Sequence, residues 1–72
     1  MEIIEIKTPY INVDQLLKFS GLIESNGQVI HFLEEKLILV NDIIISQRRK
    51  KIYPGDIVKI KGVGILRVIN EV

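Results

Sequence analysis

Arg48, Arg49, Lys50 and Lys51 are consecutive, the longest run of one charge in these 72 residues. Adjacent cations repel one another and resist burial, so the fold must present them to water or to an anionic partner. Facing a polyanion, such a run neutralises phosphates and releases their counterions. Facing water alone, it blunts a sheet edge. A second stretch with affinity for anions is Ser25-Asn26-Gly27-Gln28. Ser25 reads as a helix N-cap, and Gln28, three residues on, completes a capping box. The exposed amides of such a helix start also attract phosphate.

The remaining chemistry-bearing residues point away from catalysis and metal binding. His31, Glu34 and Glu35 stand at i, i+3 and i+4 on one expected helix. Zinc sites want three or four ligands, usually with more His or Cys, so a solvated helix face is expected here and no metal. Gly62-Val63-Gly64 is followed by no helix and closed by no Lys-Ser/Thr pair, which makes it a turn between strands and not a phosphate loop. There is no cysteine, and the single histidine has no visible Ser or Asp partner. The carboxylates fall at caps and turns. The expectation is therefore a non-enzyme with no cofactor and no small-molecule substrate. Stacking on a base is one reading of Tyr10 and Tyr53; the expectation is that they pack against Ile neighbours with their hydroxyls at the surface.

These groups need elements to position them. Glu2 to Lys7 reads as a short strand ended by Thr8-Pro9. Asn12 is a good N-cap, with Gln15 placed for a capping box; Val13, Leu16, Leu17 and Ser20 share a face, and Gly21 stops the helix. From Ser25 a second helix is expected to run to about Lys36, with Val29, Phe32, Leu33 and Lys36 as its stripe. The period then changes to that of strands. Leu37–Val40 and Ile43–Ile45 flank Asn41-Asp42, a pair that tolerates the positive φ angles of a tight hairpin. Ile52-Tyr53 leads into the turn Pro54-Gly55-Asp56, and strands follow at Ile57–Ile60 and Ile65–Ile69. The fold class expected is α+β: two short helices packed on a small, mostly antiparallel sheet of four to five strands, forming a single domain over residues 1–72.

Composition sets the bounds. Apolar content of 47% gives a chain of this size a core, though one of limited depth. No apolar run approaches the roughly 20 residues of a membrane span. The absence of cysteine and of a signal peptide implies a cytoplasmic address, and a monomer is expected. Net charge is only +1, but residues 1–35 carry two lysines against six carboxylates, and residues 36–72 carry eight Lys/Arg against three. A chain so polarised can show a basic face despite its near-neutral total.

Several of these stretches together resemble a known pattern. Val13-Asp14-Gln15-Leu16-Leu17, Ser25-Asn26-Gly27-Gln28-Val29, Leu39-Val40-Asn41-Asp42 and Tyr53-Pro54-Gly55-Asp56 follow one another in the order and spacing of the S4 RNA-binding domain. The first strand and the closing Lys61–Asn70 resemble the small free-standing bacterial members of the YaaA type. The resemblance implies an S4-like (αL motif) fold that grips structured RNA, commonly ribosomal RNA, with its two helices and adjoining loop. Carried over by position, it implies RNA contacts at Asn12, Ser25, Asn26, Gln28, Arg48, Arg49, Lys50 and Lys51, with the basic run lying near the start of the second helix. Three positions depart from the pattern. Asn26 stands where many members have Arg, Ile30 where a cation is common, and Lys36 in place of a helix-ending Gly. More of the binding is thereby left to residues 48–51.

A rival reading is a protein–protein adaptor of S4-like or β-grasp type, without RNA binding. The β-grasp sulfur carriers share Val-Asn-x followed by Gly-Asp-x-Val, resembling Val40-Asn41-Asp42 and Gly55-Asp56-Ile57-Val58. Their carrier chemistry needs a C-terminal Gly-Gly, whereas this sequence ends Ile69-Asn70-Glu71-Val72. Two capped helices before the hairpin also disagree with a β-grasp order.

Overall fold

Alternation along the β-branched runs decides the sheet. In the strand Glu2–Ile6 (β1), Ile4 and Ile6 are buried while Ile3 and Glu5 face water. The same period of two buries Ile38 and Val40 in Ile38–Val40 (β3), Val58 and Ile60 in Ile57–Ile60 (β6), and Leu66 and Val68 in Gly64–Asn70 (β7). Successive side chains of a strand point to opposite faces, so these eight residues form one apolar face. The computed structural model describes residues 1–70; Glu71 and Val72, the last two residues of the expected domain, lie outside the described residues.

The helices Val13–Phe19 (α1) and Asn26–Glu34 (α2) cover that face with Val13, Leu16, Leu17, Val29 and Leu33, and Ile23 fills the link between them. No polar residue is buried among the described residues. Helices this short are marginal alone, so packing and caps must hold them. At α1, Gln15 Oε1 accepts from the Asn12 amide at 3.3 Å. At α2 the box closes: Ser25 Oγ accepts from the Gln28 N–H at 3.3 Å, and Gln28 Oε1 accepts from the N–H groups of Ser25 and Glu24 at 3.3 and 2.9 Å. No helix among the described residues is long and apolar enough to cross a membrane.

The five-stranded sheet runs β1-β7-β6-β3-β4, where β4 is Ile43–Ile44. All its pairings are antiparallel except β1 with β7, so the first and last strands lie side by side in parallel, Glu2 opposite Leu66. Ile11–Asn12 (β2) and Lys51–Ile52 (β5) form a separate two-stranded antiparallel sheet. The fold is thus the expected α+β arrangement. Asn41 and Asp42 take φ of +50° and +67°, the mirror-image turn whose twist suits a hairpin. Gly55 at φ +95°, with the Asp56 N–H donating to Tyr53 O at 3.0 Å, makes a type II turn.

One boundary differs from the sequence expectation. α2 ends at Glu34, and Lys36 lies outside it at φ +59°. The Lys36 N–H donates to Leu33 O at 3.1 Å and the Leu37 N–H to Phe32 O at 2.9 Å, the paired bonds of a Schellman motif. Lysine therefore occupies the left-handed position usually given to glycine, and the apolar spacing that suggested one more helical turn is interrupted by that change of hand.

Candidate nucleic-acid interface

The basic run is a turn followed by a strand. The Lys50 N–H donates to Gln47 O at 3.2 Å, which puts Arg48 and Arg49 at the corner, and Lys51 then enters β5 opposite Asn12. Two further bonds fix this ledge. Arg48 O accepts from the Asp14 N–H at 3.0 Å and Lys50 O from the Val13 N–H at 2.9 Å. The first N–H groups of a helix have no intrahelical acceptor, and the positive end of the dipole favours partially negative oxygens. The carbonyls of the ledge thus cap α1 while its side chains point away.

All four cations are exposed, and none is paired with a carboxylate among the described residues. The Arg48 side also borders a groove of about 540 Å³ between α2 and the β3–β4 hairpin, with Ile30, Leu33, Glu34, Ile44 and Ile45.

The other expected contacts divide into two places. Asn12, half-buried, sits directly against the ledge through its pairing with Lys51. Ser25, Asn26 and Gln28 are exposed at the start of α2. The side-chain bonds of Ser25 and Gln28 stay within residues 24–28, leaving the amides of Asn26 and Gly27 without a partner among the described residues. The hydrogen bonds that hold the ledge run to α1 and not to α2; none joins it to Ser25–Gly27 among the described residues. His31 is exposed, its ring edge-on to Phe32 at 6.0 Å.

Two aromatic residues lie beside the ledge. Tyr10 and Tyr53 lie against each other, with centroids 5.9 Å apart and planes tilted by 52°. They remain 40% and 49% exposed, and Lys51 Nζ lies 4.8 Å from the Tyr10 centroid, within cation–π range. The register explains this. Ile11 opposes Ile52 with both turned inward, so one residue further along Tyr10 opposes Tyr53 on the outward face. Lys51 is the diagonal neighbour of Tyr10. The signal was present in the sequence, but only the pairing of two dipeptides some forty residues apart reveals it.

The motif residues Asn41 and Asp56 have a positional role. Asn41 Oδ1 accepts from the Ile57 N–H at 3.0 Å, Asn41 Nδ2 donates to Asp56 Oδ1 at 3.0 Å, and Asp56 Oδ2 accepts from the Tyr53 N–H at 2.8 Å. This joint ties the hairpin turn to the Pro54-Gly55 turn and sets where Tyr53 leaves β5. The order of motifs, the two-helix layer on a mostly antiparallel sheet and the exposed basic loop define a class of protein. Residues 4–68 match the S4 domain, and the chain belongs to the S4 domain family. Among curated proteins it is similar to the probable ribosome maturation protein RlbA of Bacillus subtilis (strain 168). The two are 42% identical over 67 residues, covering 93% of this chain and 94% of that protein.

Proposed function

We propose that this domain binds structured RNA, ribosomal RNA in particular, without catalysing a reaction on it. The ledge Arg48, Arg49, Lys50 and Lys51 supplies most of the affinity, with Asn12 at its base. Ser25, Asn26 and Gln28 at the start of α2 supply the second contact. The observation that carries this reading is the backbone clamp: α1 fixes the carbonyls of the ledge, so the backbone is ordered before binding and four cations without carboxylate partners are presented in one place. Family membership and the similarity to a protein named for ribosome maturation support it. A ribosomal role implies action in the cytoplasm, and a monomer suffices for it.

Reversing all four cations to Glu tests the proposal. Their side chains hold little of the fold; Lys51 over Tyr10 contributes about 0.5–1 kcal/mol and the rest less. The variant should melt cooperatively, close to the parent. If about four phosphates are neutralised, log affinity of the parent should fall with log salt at a slope of roughly −3. The variant should lose both affinity and slope. A hairpin RNA should bind better than a DNA duplex of equal length, because A-form shape and 2′-hydroxyls are what a shape-reading surface detects. A folded variant that binds RNA with an unchanged salt slope refutes the assignment to the ledge, whereas a parent that binds no structured RNA favours an adaptor, with the groove beside Ile30 and Ile44 as its contact surface.

A further inference from the structure

Beside the ledge lies a cavity of about 270 Å³ that the charge argument leaves unused. It opens between the β3–β4 turn, the ledge and the Pro54-Gly55 turn. Val40, Ile43 and Ile45 give it an apolar lining, Tyr53 an aromatic one, and Lys50 and Lys51 stand on its border. Its volume falls just below the roughly 300–1,000 Å³ of sites for drug-sized ligands, a scale suited to one nucleobase. Tyr10 braces Tyr53 from outside and holds Lys51 over its own ring.

We infer that this cavity receives one unpaired nucleobase of the bound RNA, stacked on Tyr53, with the flanking phosphates on Lys50 and Lys51. The inference rests on the RNA-binding reading and narrows it. The preferred RNA carries an unstacked nucleotide, in a loop or bulge, next to a helical segment. A smooth duplex leaves the cavity empty and Tyr53 in water. Sequence-specific RNA readers splay bases out of single-stranded loops and bulges and read their edges by hydrogen bonds. Here Lys50 and Lys51 are given to the flanking phosphates, and the other two polar side chains on the cavity border, Asn41 and Asp56, are committed to each other and to backbone N–H groups. Stacking without edge readout is tolerant of sequence, because every base offers a π-face. The site therefore detects that a base is unpaired and does not detect which base it is.

Two RNA hairpins test this, identical except for one nucleotide bulged from the stem of the first. The parent should bind the bulged hairpin more tightly by on the order of tenfold, since stacking one base on an aromatic is worth about 5- to 150-fold. A fluorescent adenine analogue at the bulge should be quenched on binding. Exchanging the bulged base among all four should alter affinity by only about a few fold. Tyr53→Leu, which keeps apolar bulk, should erase the preference while retaining affinity for the paired hairpin and its salt slope. Tyr53→Phe should keep the preference. The Tyr53 N–H bond to Asp56 belongs to the backbone and survives either change. Equal binding of the two hairpins by the parent, or an unchanged preference in Tyr53→Leu, overturns the cavity assignment and leaves the ledge standing. If the parent binds neither hairpin, the RNA reading itself fails and this inference falls with it.

Discussion

Replacing Asn41 separates two things that one residue does. Its side chain accepts from Ile57 N–H and donates to the Asp56 carboxylate, both at 3.0 Å, and its backbone holds φ +50°. A neutral hydrogen bond contributes about 0.5–1.5 kcal/mol and one to a charged group about 1.5–3. Both bonds are exposed to water, so the lower ends apply and together they amount to about 2 kcal/mol. Asn41→Gly removes the bonds but accepts the left-handed backbone, and should cost about 2 kcal/mol. Asn41→Ala removes the bonds and places a Cβ in that region for about 1 kcal/mol more, or about 3 in all. In a domain of this size 1 kcal/mol moves Tm by about 4–8 °C, so the alanine variant should melt about 12–24 °C below the parent and the glycine variant between them. Thermal and urea unfolding followed by far-UV circular dichroism measure both. A glycine variant within about 0.5 kcal/mol of the parent would show that the joint to Asp56 holds nothing. Equal losses for alanine and glycine would remove the φ argument instead.

Lys36→Gly should act in the opposite direction. It relieves a lysine at φ +59° and should stabilise by about 1 kcal/mol, read as a rise in Tm of about 4–8 °C. Asn26→Arg adds a cation at an exposed helix start whose neighbouring amides are open. RNA affinity at fixed salt should rise by about a few fold, at a stability cost of a few tenths of a kcal/mol from the helix dipole. Unchanged or weaker affinity would place the start of α2 outside the interface.

What was legible in the sequence is what is local. Asn12 with Gln15 and Ser25 with Gln28 announce their helices because the bonds span three residues. Asn41-Asp42 and Pro54-Gly55 announce their turns because only certain residues accept those φ values. The end of α2 is not legible for the converse reason: nothing about a lysine indicates a left-handed φ, and the Schellman bonds that stabilise it come from the backbone. Partnership across the chain was also hidden. The parallel pairing of β1 with β7 joins the two ends of the chain, and β2 with β5 pairs segments too short to carry a strand signal. Tyr10 and Tyr53 each read as an ordinary half-buried aromatic until that register sets them opposite one another. The basic ledge was found from composition, while its clamp was not, since the carbonyls that fasten it carry no sequence signature.

The clamp has a consequence for how the two helix starts divide the work. At α1 the amides of Val13 and Asp14 are taken by the ledge, and that of Gln15 by Asp14 Oδ1 at 2.9 Å. That terminus is closed to an incoming phosphate, so its dipole acts only by holding the ledge. At α2 the amides of Asn26 and Gly27 stay open, with no acidic residue in the first turn to compete for them. Under the proposed function, α1 serves the interface by positioning cations and α2 by offering its own backbone. Open amides without an adjacent cation bind phosphate weakly, and the second half of the chain holds the positive charge. The ledge therefore has to dominate affinity, which leaves the start of α2 to refine orientation.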